Sequence, residues 1–214
     1  MKFAALIVGA YLLGSVPFGI IIARAHGKDL RAIGSGNTGA TNLARAMGKK
    51  WGYVCFVLDV GKSLVPMLAT MRLVSRPATT GELWLWLAVG VAAIVGHVFP
   101  VFAGFKGGKG VATSFGVALG LYPYYTICAG VAFAAWLIAV GIWRYVSLGS
   151  IIASVVFPAA LVVLIGVEPE WDFARLWPLL IAATLIPLMV IMRHRQNIKR
   201  ILAGTEDKVL KRRS

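Results

Sequence analysis

The sequence predicts an all-α, polytopic integral membrane protein with seven transmembrane helices, one or more of them short or broken. Of the 214 residues, 59% are hydrophobic and only 14% are charged, whereas soluble domains average about 45–50% and about 25%. The hydrophobic residues fall in blocks of about twenty, the length with which a helix crosses a hydrocarbon core of about 30 Å. The basic segments between these blocks share one side of the membrane only if the number of spans is odd. An ordinary soluble domain is therefore excluded.

Six blocks are long enough to cross the membrane. They are Phe3–Ala25, Trp51–Met71, Leu83–Phe102, Tyr124–Trp143, Leu148–Val167 and Leu176–Met192. The first is too long for the apolar core of a signal peptide and shows no clear cleavage site, so we expect a retained membrane anchor. A seventh block, Val111–Leu121, would form only about 16 Å of helix. Pro123 and the tyrosines around it predict a helix break near an interface or within a protein-lined cavity.

The charge distribution predicts the orientation of the seven helices, with the N-terminus outside and the C-terminus in the cytoplasm. Most of the 22 Lys and Arg residues then lie in the cytoplasm, and the acidic loop at residues 168–172 lies outside. The cytoplasmic motif segments are residues 27–50, 104–113 and 193–206 of a single domain that covers residues 1–214. The net charge of +14 follows from this asymmetry, so we expect contact with membrane lipid and no nucleic-acid partner. Lys211, Arg212 and Arg213 would rest on the anionic leaflet.

Sequence patterns that would indicate a metal or a cofactor are missing. Cys55 and Cys128 lie inside apolar blocks, where cysteine behaves as a small hydrophobic residue. The sequence has no zinc pattern, no Gly-x-Ser-x-Gly elbow and no pair of carboxylates suited to acid/base work. It also lacks the His-x-x-x-x-Asp pattern of CoA-dependent glycerolipid acyltransferases. We expect no metal and no cofactor.

The first loop that indicates chemistry runs from Gly34 to Asn42 and is followed by Arg45. Its residues are Gly34, Ser35, Gly36, Asn37, Thr38, Gly39, Ala40, Thr41 and Asn42. Three glycines let successive N–H groups turn toward one point, and a helix beginning near Thr38–Ala40 would add its positive end. The guanidinium of Arg45 can then bind a phosphate with two hydrogen bonds. The alternative is a turn at the membrane surface without a ligand.

The second loop lies directly before the short block Val111–Leu121. It reads Phe105, Lys106, Gly107, Gly108, Lys109 and Gly110, followed by Val111, Ala112 and Thr113. A lysine is a compact point charge for a phosphoryl group, and the glycines let the main chain approach closely. The alternative is that both lysines only anchor the loop to anionic lipid headgroups.

The third segment, Arg193–Glu206, follows the last span. On a helix that continues from this span, His194, Asn197 and Ile201 share one face. The alternative is a basic amphipathic tail on the cytoplasmic leaflet. The short turn Arg144–Ser147 offers one more guanidinium and one more hydroxyl group for an anion.

Two charged residues fall inside the second span. Asp59 and Lys62 share a helical face and can pair with each other. Charges within a span are costly and usually functional, but support of the first loop and direct contact with substrate remain equally open. His97, near the end of the third span, is expected to be a hydrogen-bonded core histidine.

Together, these three segments resemble the motifs of the bacterial acyl-phosphate:glycerol-3-phosphate acyltransferases, the PlsY family. The resemblance covers nearly the whole chain, and the surroundings of Asp59–Lys62 and of Arg144–Ser150 are also similar to that family. It implies a seven-helix enzyme of the bacterial inner membrane, with its active site facing the cytoplasm, that makes lysophosphatidic acid for phospholipid synthesis. Its substrates would be glycerol 3-phosphate and a fatty acyl phosphate, and a soluble enzyme that produces acyl phosphate is a candidate for transient docking.

The resemblance also implies a mechanism and a set of site residues. The C1 hydroxyl would attack the acyl carbonyl and inorganic phosphate would leave, without a covalent acyl-enzyme. The expected catalytic residues are Ser35, Arg45, Lys109, His194 and Asn197. The expected substrate-binding residues are Gly34, Gly36, Asn37, Gly39, Asn42, Lys106, Gly107, Gly108, Gly110, Arg144, Ser147, Arg200 and Glu206. Either His194 or a substrate phosphate takes the hydroxyl proton. The competing hypotheses are a transporter of anions or organophosphates and a lipid-binding scaffold without chemistry.

Overall fold

The computed structural model describes residues 1–74 and 79–209, so Arg76 and the predicted lipid-binding residues Lys211, Arg212 and Arg213 lie outside the described residues. Every regular element in these ranges is helical, which confirms that the fold is all-α as predicted. The α-helices are α1 (Lys2–Gly14), α2 (Phe18–Ala25), α3 (Ala40–Met47), α4 (Lys49–Val74), α5 (Thr80–Val98), α6 (Val111–Gly120), α7 (Tyr124–Trp143), α8 (Val146–Val167), α9 (Phe173–Arg193) and α10 (Arg195–Leu202). Short 3₁₀ turns cover Leu30–Ala32 and Val101–Ala103.

Within the described residues, six helical stretches are long and apolar enough to cross a membrane, and they match the six predicted blocks. They are Lys2–Ala25, Lys49–Val74, Thr80–Ala103, Tyr124–Trp143, Val146–Val167 and Phe173–Arg193. The predicted short block forms α6, a helix of 10 residues. This helix is too short to cross a bilayer alone, as the sequence predicts.

The first predicted block, Phe3–Ala25, is interrupted rather than one continuous helix. The helix α1 ends at Gly14 and α2 begins at Phe18, because Pro17 has no N–H group to continue the ladder. The break leaves the carbonyl of Val16 outside the regular helix, and Lys62 Nζ donates a hydrogen bond to it at 3.0 Å. A buried lysine therefore binds the carbonyl group that the helix break leaves without a helical partner.

The prediction that the helix of the last span continues into the third segment is wrong, because the helix is interrupted at His194. The helix α9 ends at Arg193 and α10 begins at Arg195, with His194 at the junction at φ −94° and ψ 5°. The imidazole Nδ1 of His194 bonds the carbonyl of Val190 at 2.7 Å. The third segment is thus a separate short helix, and its residues do not simply extend one face of α9.

The chain forms two compact units, Met1–Leu121 and Tyr122–Ser214. In the first unit α1 packs against α5, and α4 packs against α1, α3 and α6. A side chain at Gly14 would overlap the backbone of Ala93, and one at Gly116 would overlap the carbonyl of Val60. Small residues therefore let these membrane helices approach at backbone distance, the usual basis of helix packing in lipid.

In the second unit α7 packs against α8, α8 packs against α9, and α10 contacts both α8 and α9. The turn between α7 and α8 uses Arg144 in a left-handed conformation at φ 62°. The carbonyl of Arg144 accepts a hydrogen bond from the N–H group of Val209 at 2.7 Å. The segment after α10 is thereby fixed to the turn that begins α8.

Candidate active site

The first loop is organised from the inside by Asn42. This residue is 2% exposed, and its Nδ2 donates to the carbonyls of Leu30 at 3.1 Å and Ile33 at 2.9 Å. Its Oδ1 accepts a hydrogen bond from the N–H group of Ser35 at 3.0 Å. The polar atoms of Asn42 therefore serve the loop backbone, which makes it a positioning residue rather than an evident ligand for substrate.

The glycines of the first loop allow its tight path into α3. Gly34 and Gly36 adopt φ values of +58° and +66°, which residues with a Cβ atom rarely adopt. Asn37 Oδ1 accepts a hydrogen bond from the N–H group of Gly39 at 2.9 Å, and α3 begins at Ala40. The predicted start of a helix at Thr38–Ala40 is confirmed. Ser35, between the two glycines, is exposed.

Arg45 lies in the last turn of α3 and is half-buried. It is thus on the same short helix whose N-terminus ends the glycine-rich turn. The helix places its positive end next to Gly39, where an anion is favoured.

The second loop folds back onto the end of α5. The N–H group of Gly107 donates to the carbonyl of Val98 at 3.2 Å, and that of Gly108 donates to the carbonyl of His97 at 3.1 Å. A side chain at Gly107 would overlap the carbonyl of His97, and one at Gly108 would overlap the His97 ring. These two glycines are needed for close packing, and their N–H groups bind protein carbonyls.

The second loop ends at Gly110, which has a φ of +90° and precedes the first residue of α6. Lys109 is half-buried beside it, whereas Lys106 is exposed. The carbonyl of Thr113, in the first turn of α6, accepts a hydrogen bond from Ser63 Oγ at 2.8 Å. The lysine thus lies next to the positive end of a helix that is fixed to α4, an arrangement suited to a phosphate group.

Arg31, in the 3₁₀ turn just before the first loop, binds the second loop, and it is not among the site residues predicted from the sequence. Its Nη2 donates to the carbonyls of Ala103 and Lys106, and its own N–H group donates to Asp29 Oδ1 at 3.0 Å. The only sequence signal was one more basic residue just before the glycines, which does not indicate a partner. The two loops are therefore brought together within the first unit.

Replacing Arg31 by alanine is expected to weaken the binding of a phosphate-bearing ligand about tenfold, because the second loop and the turn before it would each lose a hydrogen bond from a charged donor. Arg31→Lys should recover part of this loss, since one ammonium group cannot reproduce the fork of a guanidinium. Titration of the purified variants with a phosphate monoester measures the effect, and Arg24→Ala, which removes an exposed arginine at the end of α2, is the matched control. Equal dissociation constants for Arg31→Ala and Arg24→Ala would contradict the expectation.

The charged pair predicted within the second span forms and includes a third residue. Lys62 Nζ lies 2.8 Å from Asp59 Oδ1. His97 Nδ1 lies 3.6 Å from the same oxygen, so the buried histidine belongs to a charged cluster, which the sequence analysis did not foresee. A cavity with room for about one water molecule lies beside this cluster.

In the second unit, Glu206 gathers three of the predicted site residues. Its buried carboxylate accepts hydrogen bonds from Ser147 Oγ at 2.9 Å, Asn197 Nδ2 at 2.7 Å and Arg200 Nε at 2.7 Å. Burial alone would raise the pKa of Glu206, but the hydrogen bonds from Asn197, Arg200 and Ser147 and the charge of Arg200 hold it below its ordinary value. Glu206 is therefore an ionised anchor for α8 and α10.

His194 is buried at the junction of α9 and α10, and its Nδ1 lies 2.7 Å from the carbonyl of Val190. A carbonyl can only accept, so Nδ1 carries hydrogen in this contact and the lone pair of a neutral ring is on Nε2. This tautomer has the form that a general base requires. Arg144, by contrast, is exposed and uses only its main chain in the contacts described above.

The chain is similar over nearly its whole length to glycerol-3-phosphate acyltransferases. The sequence profile of the glycerol-3-phosphate acyltransferase family matches residues 4–204. A glycerol-3-phosphate acyltransferase of Trichlorobacter lovleyi is 45% identical over 202 residues, which cover 94% of this chain and 95% of the relative. That of Aquifex aeolicus is 41% identical over 209 residues, which cover 97% of this chain and 100% of the relative.

The fold is also similar to two crystal structures of PlsY, an integral membrane glycerol 3-phosphate acyltransferase. The glycerol 3-phosphate form has a TM-score of 0.84 and 40% identity, over 98% of this chain and 96% of that chain. The lysophosphatidic acid form has a TM-score of 0.81 and 39% identity, over the same shares of the two chains.

Proposed function

The chain belongs to the glycerol-3-phosphate acyltransferase family, as its three motifs predict, and we propose that it transfers a fatty acyl group from acyl phosphate to the C1 hydroxyl of glycerol 3-phosphate. The products are lysophosphatidic acid and inorganic phosphate. The observation that carries this proposal is the similarity, over 98% of the chain, to an integral membrane protein solved in a glycerol 3-phosphate form and in a lysophosphatidic acid form. These two ligands are the acceptor of the reaction and its acylated product.

The acyl donor in this proposal is activated before it reaches the enzyme. An acyl phosphate is a mixed anhydride, so the bond between the acyl carbon and the phosphate oxygen breaks as the C1 oxygen forms its ester bond. The two electrons of the broken bond leave with phosphate, and the hydroxyl proton passes to a base. No protein nucleophile is required, and catalysis rests on positioning and on stabilisation of negative charge.

The roles proposed for the side chains follow from their charge and from the loops that carry them. Ser35, Arg45, Lys109 and Ser147 bind phosphate groups, while His194 and Asn197 orient the reacting hydroxyl or carbonyl. The positive ends of α3 and α6 stabilise the developing negative charge. The buried contacts described above add Asn42, Gly107, Gly108 and Glu206 as groups that hold these side chains and loops in place.

The base is proposed to be a substrate phosphate rather than His194. A phosphate monoester has its second pKa at about 6, so the dianion is available at neutral pH. If His194→Ala abolished turnover without changing the affinity for glycerol 3-phosphate, and wild-type activity followed one imidazole pKa, the histidine would be the base instead.

An assay of donor specificity tests the proposed function. Protein purified in detergent is supplied with glycerol 3-phosphate and one acyl donor at a time. With acyl phosphate it should form lysophosphatidic acid and inorganic phosphate in equal amounts. With acyl-CoA or acyl-carrier protein as the donor it should be inactive. Activity with the thioester donors would contradict the proposed donor. Absence of acylation, combined with uptake of glycerol 3-phosphate into liposomes that contain the protein, would instead identify a transporter.

We further propose seven membrane helices with α6 as the short one, a location in the bacterial inner membrane and an active site that faces the cytoplasm. The chain 1–214 would act as one acyltransferase domain, with membrane lipid around it and transient docking of a soluble enzyme that produces acyl phosphate. The basic composition of the loops at residues 27–50 and 104–113 supports this orientation.

Cysteine labelling tests the orientation. In a variant without Cys55 and Cys128, a cysteine placed at the exposed Lys49 should react with an impermeant maleimide only after the membrane is opened. A cysteine placed at the exposed Glu170 should react in intact spheroplasts. The reverse pattern would invert the topology. Labelling of both positions in intact spheroplasts would show an even number of crossings between them and contradict the five that α4 to α8 are proposed to make.

A further inference from the structure

Three buried groups in the first unit carry charge or can carry it, and none of them belongs to the predicted catalytic set. Asp59 is 3% exposed, Lys62 is 4% exposed and His97 is 8% exposed. Asp59 Oδ1 lies between the other two, 2.8 Å from Lys62 Nζ and 3.6 Å from His97 Nδ1. Ionisable groups inside a membrane span are costly and usually functional. The contacts of each group indicate what the cluster does.

The charge of Lys62 is directed at the protein itself. Its Nζ binds Asp59, donates to the carbonyl of Val16 at 3.0 Å and lies 5.7 Å from the centre of the Phe18 ring. Val16 is part of the break between α1 and α2. These contacts favour support of the fold over direct contact with substrate, the two roles that the sequence left open.

The break connects the cluster with the first loop. Next to Phe18, Gly19 lies so close to Thr38 that a Cβ atom on the glycine would overlap the Thr38 carbonyl. Thr38 is itself buried, and it lines the small cavity beside the charged cluster. The position of α2, fixed by Lys62, therefore determines where the middle of the first loop lies.

His97 connects the cluster with the second loop. Its Nδ1 faces Asp59, while its ring lies against Gly108, where a Cβ atom would overlap Nε2. Its main-chain carbonyl accepts the hydrogen bond from the N–H group of Gly108. A change in the His97 ring would therefore move the loop that carries Lys109.

We propose that Asp59, Lys62 and His97 form a positioning cluster that sets the distance between the first and second loops, and thereby determines the affinity for glycerol 3-phosphate. The inference rests on the proposed function for its kinetic consequence. An apolar pair of similar volume would hold α4 in the membrane equally well. It would not bind both the break between α1 and α2, next to the first loop, and the His97 ring, against which the second loop packs. The charged cluster binds both and so fixes the two loops relative to each other.

A double variant separates positioning from stability. Asp59→Asn or Lys62→Met alone leaves a buried charge without its partner and is expected to destabilise the protein, whereas Asp59→Asn/Lys62→Met removes both charges and should recover most of the lost stability. The double variant is expected to keep kcat within about threefold but to raise KM for glycerol 3-phosphate roughly ten- to a hundredfold, as for other groups that act through a neighbour. KM for acyl phosphate should change less.

Two further variants control this experiment. His97→Gln removes the ring but keeps the main-chain carbonyl, and it should raise the same KM even if the double variant does not fold. Thr70→Val is the matched control, because Thr70 is buried in the same helix and bonds only the carbonyl of Pro66 in the contacts resolved, at 2.8 Å. Wild-type KM values in a folded double variant and in His97→Gln would overturn the proposal. So would equal changes in the KM values of both substrates.

Hydrogen exchange makes the test independent of activity. Residues 27–50 and 104–113 should exchange faster in the double variant and in His97→Gln than in the wild type, with no change in Thr70→Val. Unchanged exchange in both loops would overturn the positioning cluster, whereas a wild-type protein without acyltransferase activity would overturn only the proposed function.

Discussion

Lys109→Met is expected to lower kcat/KM for glycerol 3-phosphate about a hundredfold or more, while the protein remains folded. Lys109 is half-buried between two glycines and precedes α6 by a single residue. Its charge thus adds to the positive end of that helix. Removal of one donor that stabilises developing negative charge typically costs about 10²–10³ in rate. Steady-state kinetics with each substrate varied in turn measure the loss.

Variants of two other lysines show how much of this loss is specific to Lys109. Lys106→Met removes a more exposed charge from the same loop and should cost less, and Lys49→Met removes an exposed charge at the start of α4 as the control. Lys109→Arg should retain part of the activity, because the charge remains but its geometry changes. Equal losses for Lys109→Met and Lys49→Met would show that the loop contributes only general positive charge at the membrane surface.

Glu206→Ala is expected to destabilise the second unit by about 2 kcal/mol, because it leaves buried polar groups without their acceptor. Ser147 and Asn197 would each lose a hydrogen bond to the carboxylate, and Arg200 would lose its ion pair. Arg200 is partly exposed and can be solvated, which keeps the loss below that of a fully buried pair. Thermal unfolding in detergent measures the change, with the exposed Glu170→Ala as control.

The same carboxylate predicts a dependence of stability on pH. The pKa of Glu206 is held below its ordinary value of 4.5 in the folded protein. The stabilisation is therefore complete above the ordinary pKa and is lost as the pH falls through the lower, folded value. The difference in unfolding temperature between wild type and Glu206→Gln should be constant near neutral pH and should shrink below about pH 4. A difference that grows on acidification would contradict this assignment.

The helical fold was predictable because its signals are local. A block of about twenty apolar residues specifies a span wherever it occurs, and within the described residues the six predicted blocks correspond to six long helical stretches, the first of them interrupted. The break at Ser15–Pro17 was signalled by proline alone, which membrane helices often tolerate. The partner of the break could not be predicted, because the hydrogen bond from Lys62 to the carbonyl of Val16 joins residues far apart in the sequence.

The predicted site residues were identified from motifs in the sequence, whereas their contacts depend on tertiary structure. Asn42 and Glu206 were expected to bind substrate because the motifs that contain them resemble those of the acyltransferase family. In the fold they are buried and bind other protein groups. Arg31 carried no distinguishing sequence signal, because its two acceptors are main-chain carbonyls, that of Ala103 just before the second loop and that of Lys106 within it. A carbonyl acceptor belongs to every residue type, so no sequence pattern can reveal it.

In the proposed reaction the acyl group passes directly from acyl phosphate to glycerol 3-phosphate, without an acyl-enzyme. Initial rates measured with both substrates varied distinguish this route from one through a covalent intermediate. Direct transfer requires both substrates to be bound together, so double-reciprocal plots should intersect, and no phosphate should be released when glycerol 3-phosphate is absent. Parallel lines, together with a burst of phosphate equal to the amount of enzyme in the absence of acceptor, would show a covalent intermediate and contradict the claim.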